Sequence, residues 1–194
     1  AAQTFANAPG GRVVMMGWLA GAQYPGMPFS QGMTVPLEVS LRSTAQGPRL
    51  AFLPVPELNA LRRTMSALDA PSLAQANAAL AAAGAELLDV SVELALTRES
   101  VASLDLRGTP VTCDVAGGTL TAAGVTAPLP LRDGKLTLRA LLDRGVLELF
   151  AGDGLVALSV GGVFAKPGLP VRLDIRGPGR VQRLAVAELD SMWP

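Results

Sequence analysis

From 135 to 160 the chain alternates apolar and polar residues with the two-residue period of β-strands. Leu136, Leu138, Ala140 and Leu142 mark one face of a first strand, and the stretch 146–150 forms a second. Asp143-Arg144-Gly145 reads as a bend between them. Ala151-Gly152-Asp153-Gly154 reads as a hairpin loop, because Gly and Asp supply the positive-φ conformations a tight reversal needs. The same alternation predicts further strands over 89–96, 103–108, 111–115, 119–123, 155–160, 171–176 and 181–188, with Gly or Pro at nearly every junction. About nine short strands punctuated in this way pack as two antiparallel sheets. The fold class is therefore all-β.

Upstream, 12–19 is a short, nearly all-apolar strand of the buried kind, followed by a loop over 21–31 set by Tyr24-Pro25-Gly26 and Met27-Pro28. A second strand is expected over 33–42, with Pro36 favouring an edge or a bulge, and a third over 49–53, closed by Pro54. Three strands in so short a stretch resemble a propeller blade, a sheet too small to be stable alone. Between 54 and 88 the pattern changes. Leu58, Leu61 and Met65 recur at helical spacing, and the alanine-rich run 72–83 has high helix propensity, with Gly84 placed to end it. This stretch is expected to be a helical connector.

Composition narrows the chemistry. Half of the chain is hydrophobic (49%), ample for a core, and 16 basic side chains balance 16 acidic ones. That balance gives no electrostatic footprint for nucleic acid or an anionic membrane. Cys113 is the single cysteine, which excludes an internal disulfide, and histidine is absent. Ser-His-Asp and Cys-His catalysis and histidine metal sites are thereby excluded. No apolar run reaches the roughly 18 residues of a transmembrane span. The start, Ala1-Ala2-Gln3-Thr4, carries no signal-peptide pattern and no initiator methionine, so it reads as a cut or processed end.

Two groups of residues carry a family resemblance. Leu142-Asp143-Arg144-Gly145-Val146-Leu147-Glu148-Leu149-Phe150, followed by Gly152-Asp153-Gly154, resembles the DRSSVEVFVNDG signature in the C-terminal β-sandwich of glycoside hydrolase family 32, the invertases, inulinases and levanases. Gln3-Thr4-Phe5-Ala6-Asn7, then 11–19, then the run from Tyr24 through Val39, then Arg49-Leu50, Pro54-Val55 and Glu57-Leu58 are similar, in order, to the last propeller blade of the same family. The chain departs from that pattern at Leu37, where arginine is common, and at Ala20-Gly21, where polar residues commonly follow the tryptophan.

The resemblance implies last-blade strands over 1–53, a connector over 54–88 and a two-sheet antiparallel sandwich over 89–194. It also implies a retaining β-fructosidase as the parent, acting on sucrose, inulin or levan with two carboxylates and no metal or organic cofactor. The family's catalytic motifs, WMNDPNG, RDP and EC, are absent from the chain. No catalytic residue is assigned here, and a preceding segment or a separate chain would supply the remaining blades. An extracellular or periplasmic location is implied only through the family.

For sugar contact the candidates are Trp18, as core packing or as an aromatic wall, and more weakly Tyr24 and Phe29. Asp143 and Glu148 read as a salt-bridge pair with Arg144 or Arg139, and Glu38 and Glu57 as ties from blade to connector. An autonomous sugar-binding or adhesion sandwich is the alternative. Aromatic residues make up only 4% of the chain, and beyond Phe164 only Trp193 supplies a ring, which is poor material for a sugar platform.

Overall fold

The computed structural model describes residues 1–162, 166 and 168–192. They form three antiparallel sheets. The N-terminal sheet contains β1 (Ala2–Thr4), β2 (Val13–Gln23), β3 (Ser30–Met33), β4 (Leu37–Thr44) and β5 (Gly47–Pro54), in the order β1-β2-β4-β5 with β3 pairing β2. A 3-10 turn (Pro56–Leu61) leads to β6 (Arg62–Asp69) and then to α1 (Leu73–Ala82).

Two sheets make the sandwich. One runs β11-β10-β9-β8-β15, using β8 (Val101–Leu106), β9 (Pro110–Asp114), β10 (Thr119–Ala122), β11 (Val125–Pro128) and β15 (Val171–Arg176). The other runs β14-β13-β12-β7-β16-β6, adding β7 (Leu88–Leu96), β12 (Lys135–Leu142), β13 (Val146–Ala151), β14 (Val156–Gly161) and β16 (Gly179–Leu189). Their inner faces bury Val90, Val92, Leu94, Leu104, Leu136, Leu147, Leu149 and Leu173 in one cluster. Cys113 lies in that cluster, where burial pushes its thiol up to about 12, so it is a packed apolar residue and no nucleophile.

Two expectations change. The strand expected over 33–42 is split, because Pro36 has no N–H to donate. The Thr34 N–H still reaches the Gly17 carbonyl, at 2.8 Å, whereas the Val35 N–H leaves the ladder. The connector is only partly helical, since β6 runs through it and pairs with β16 as the sheet edge. Its leading residues, Arg62-Arg63-Thr64, are polar on both faces, which hides the alternation.

Helix α1 begins at Ser72, whose hydroxyl accepts the Gln75 N–H while the Gln75 side chain accepts the Ser72 N–H, a reciprocal cap. It buries Ala76 and Leu80 against the sandwich. On the same helix the Asn77 carboxamide donates to the Leu173 carbonyl and accepts the Leu173 N–H, both at 2.8 Å, and so covers the free edge of β15. Arg107, almost fully buried, donates to the Ala83, Ala85 and Glu86 carbonyls just past the helix end. Replacing Ser72 by alanine should cost about 1 kcal/mol, read as a lower urea midpoint with an unchanged slope.

Candidate functional site

The three candidate sugar contacts lie on β2 and the loop that follows it. Trp18, half exposed at 50%, stands opposite Met33 in the β2–β3 pairing, and its indole N–H donates to Gln31 Oε1 at 2.9 Å. Gln31 has φ 71°, a left-handed backbone that a non-glycine residue adopts at some cost. Tyr24 packs on Leu19, Ala22 and Val146, and its ring meets Phe29 with centroids 5.4 Å apart at an interplanar angle of 51°. Burial, and then the negative charge of Asp143, raise the Tyr24 phenol.

The structure therefore joins Tyr24 to Phe29 and puts Trp18 on the neighbouring strand with Gln31 as its partner. Phe5, Met27, Phe29 and Met33 are also more than half exposed, so the N-terminal sheet and its loop present several uncovered apolar side chains. Gln31 lies on β3 and not in the loop expected over 21–31, and a lone glutamine there carries no sequence signal for its contact with Trp18. Trp193 and Phe164 lie outside the described residues.

Two grooves open elsewhere. One, of about 460 Å³, lies over the outer face of the six-stranded sheet, lined by Leu53, Arg62, Arg139, Phe150, Gly154 and Arg183 among others. The second, of about 420 Å³, is at the sandwich end near Asp133, Lys135 and Arg180. Neither is lined by Trp18, Tyr24 or Phe29.

The carboxylates are held structurally. Asp89, buried on β7, accepts from Arg62 and Arg139, at 2.6 and 2.9 Å to Oδ2. Arg12 reaches Glu38 at 3.0 Å and Glu57 at 2.6 Å, tying the N-terminal sheet to the 3-10 turn, and its hydrogen bond holds the exposed Glu57 carboxyl down at about 2. Arg144 pairs with Glu86, and Asp143 accepts the Arg144 N–H. Among the described residues no three His, Cys, Asp or Glu side chains converge as a metal-binding group, and no helix is long and apolar enough to cross a membrane.

Glu148 corrects an expectation. It is 3% exposed and pairs with neither Arg144 nor Arg139: its Oε1 accepts the Val35 N–H at 2.7 Å and its Oε2 the Ser159 hydroxyl at 3.1 Å. Burial pushes its carboxyl up to about 7, the two hydrogen bonds opposing and the Asp143 charge adding to the rise. Arg139, diagonal to it on β12, is already committed to Asp89.

Around Glu148 the sandwich and the N-terminal sheet meet. Leu37 packs with Leu141 and Phe150, against Met15, Val35, Phe52 and Leu53. The Phe52 N–H donates to the Gly154 carbonyl at 2.9 Å, so the hairpin loop after β13 is itself a docking element.

This hairpin region decides the relationship. Residues 111–161 match the family described as glycosyl hydrolases family 32 C terminal. Within that segment the likeness is to the C-terminal domain of family 32. A levanase from Bacillus sp. (strain L7) is 28% identical across an alignment covering 82% of this chain and 20% of the levanase. Among solved structures, exo-inulinase from Aspergillus awamori superimposes with a TM-score of 0.72 at 16% identity, covering 99% of this chain and 43% of the inulinase. The β-fructofuranosidase from Schwanniomyces occidentalis complexed with fructosyl-erythritol gives 0.70 at 15% identity, covering 98% of this chain and 47% of that one. The chain thus spans a fifth of the levanase and less than half of either family 32 structure. At these identities the two structures share the fold.

Proposed function

We propose that this chain is the C-terminal part of a β-fructofuranosidase-type glycoside hydrolase, in which the sandwich clamps and stabilises a catalytic propeller. The carrying observation is the family 32 match over residues 111–161, the segment that here docks the sandwich onto the N-terminal sheet. The exposed apolar side chains Phe5, Trp18, Met27, Phe29 and Met33 fit a sheet that packs against a further blade. Sucrose, inulin or levan would be the parent's substrate. The two carboxylates of a retaining mechanism would come from that preceding segment, because the buried acids of this chain are tied up in structural contacts. Trp18, Tyr24 and Phe29 would stand near the rim of the propeller pocket, where sugar rings stack on aromatic faces.

The test is the natural gene product. A product much heavier than 19.9 kDa that releases fructose from sucrose, inulin or levan, and inactivates faster on heating once residues 54–194 are deleted, is the expected result. A natural product of this chain's mass, or a heavier one that hydrolyses no β-fructoside, overturns it. The specific observation favouring the second reading, a stand-alone sugar-binding module, is the exposure of Trp18 and Phe29. Calorimetric titration of the 194-residue chain with fructan oligomers separates the two: micromolar binding supports the module, and silence removes it.

A further inference from the structure

We infer that Glu148 is a proton-dependent latch between the sandwich and the N-terminal sheet, closing when its carboxyl is neutral and loosening when it ionises. The geometry is that of a buried acid at an interface. Glu148 stands on β13, and its Oε1 takes the backbone N–H of Val35, which lies in the link between β3 and β4. Val35 is free for this bond because the chain leaves the ladder ahead of Pro36. Across the sheet, Glu148 is flanked by Leu141 on β12 and Ser159 on β14.

The donors facing Glu148 are both neutral, and the charged groups on the surrounding elements do not compensate it. On the bend between β12 and β13, Asp143 adds like charge. On β12 and β7, Arg139 and Asp89 are bound to each other, with Arg62 of β6 as the third member. On the N-terminal sheet, Arg12 is held by Glu38 and Glu57, and the Tyr24 phenol feels Asp143. Among the described residues no arginine or lysine pairs with Glu148, and the one charge that acts on it, Asp143, is of like sign. An isolated buried charge with two neutral donors is costly, whereas a neutral carboxyl in the same place is not.

The docked carboxyl sits at about 7 and the free one near its ordinary 4.5, so the raised acid favours docking most at acid pH. That advantage is lost as pH rises between those two values and stays lost above them. Two and a half pH units correspond to a change in the opening equilibrium on the order of 100-fold between pH 5 and pH 9.

The experiment is a pH titration of the 194-residue chain by two-dimensional NMR, following the Val35 amide, with hydrogen exchange at Val35 and at the docking amide of Phe52. The expected result is a Val35 shift with a midpoint near 7, and protection factors, corrected for intrinsic exchange, that fall on the order of 100-fold from pH 5 to pH 9. Glu148→Gln, which keeps the acceptor oxygen, should remove the midpoint and flatten the protection. Asp143→Asn should keep the titration and lower its midpoint. A wild-type midpoint at or below 4.5, or protection at Phe52 unchanged across the range, overturns the latch. Either reading comes from the wild-type chain alone, so it stands even where Glu148→Gln fails to fold.

Discussion

Asp89→Ala is expected to lower stability by about 3–5 kcal/mol, the cost of breaking a buried ion network by removing one member. Asp89 is 3% exposed and is the shared acceptor of two arginines on two different strands. Arg62 comes from β6, the edge of the six-stranded sheet, and Arg139 from β12, on the other side of β7. Deleting the carboxylate leaves two guanidinium groups facing one another over a small cavity, and releases the edge strand from its inner anchor. Both arginines keep some exposure, so water relieves part of the repulsion, which places the effect at the lower end of the range. Urea unfolding followed by circular dichroism reads it directly. Glu93→Ala, two turns of the pleat along the same strand and exposed, should stay within about 0.5 kcal/mol of wild type. A loss below about 1 kcal/mol in Asp89→Ala would show that the network is not a structural tie.

The second large effect is expected at Gly161, on the last residue of β14. A Cβ built there would lie 2.2 Å from the Ala22 nitrogen and 2.4 Å from the Gly21 carbonyl carbon. These are backbone atoms of β2, so no side-chain rotation relieves the clash, and the N-terminal sheet must back away from the sandwich. Gly161→Val should cost about 3 kcal/mol, the upper end of the usual overpacking range. The loss should be local. Limited proteolysis within residues 1–53 should accelerate by one to two orders of magnitude while the sandwich fragment stays resistant. Gly84→Ala, with open space where the added methyl would sit and no positive φ, is the neutral control. Equal cutting rates for Gly161→Val and wild type would mean that the close approach is not maintained in solution.

The sandwich was legible because its strands alternate. Val90, Val92 and Leu94 face one way and Asp89, Ser91 and Glu93 the other, and glycine marks the reversals. Strand β11 escaped notice because it is four residues long and ends at Pro128, although Ala123 and Gly124, both at positive φ, form the tight turn that leads into it. The strand β6 was hidden because Leu58 and Leu61, which set the helical spacing, belong to the 3-10 turn, and only Met65 of that trio lies in the strand, where it is exposed. Trp18, Tyr24 and Phe29 stand out in the sequence as the aromatic side chains of one strand and the loop after it, but their arrangement does not, since the Tyr24 to Phe29 contact depends on how the loop folds back. Glu148 shows the limit most sharply. A carboxylate in an alternating strand looks like half of a salt bridge, and its real partner is a backbone N–H 113 residues away. Backbone donors have no letter in a sequence.

Asn77 has a consequence for how the protein keeps to itself. A sheet edge is a template, since its spare N–H and C=O groups will pair with any extended chain that arrives, including a second copy. At Leu173 both groups are already taken, and the amide that takes them is fixed to a helix, which offers no new edge. At Leu173 the free edge of β15 therefore has no backbone group to offer a further strand.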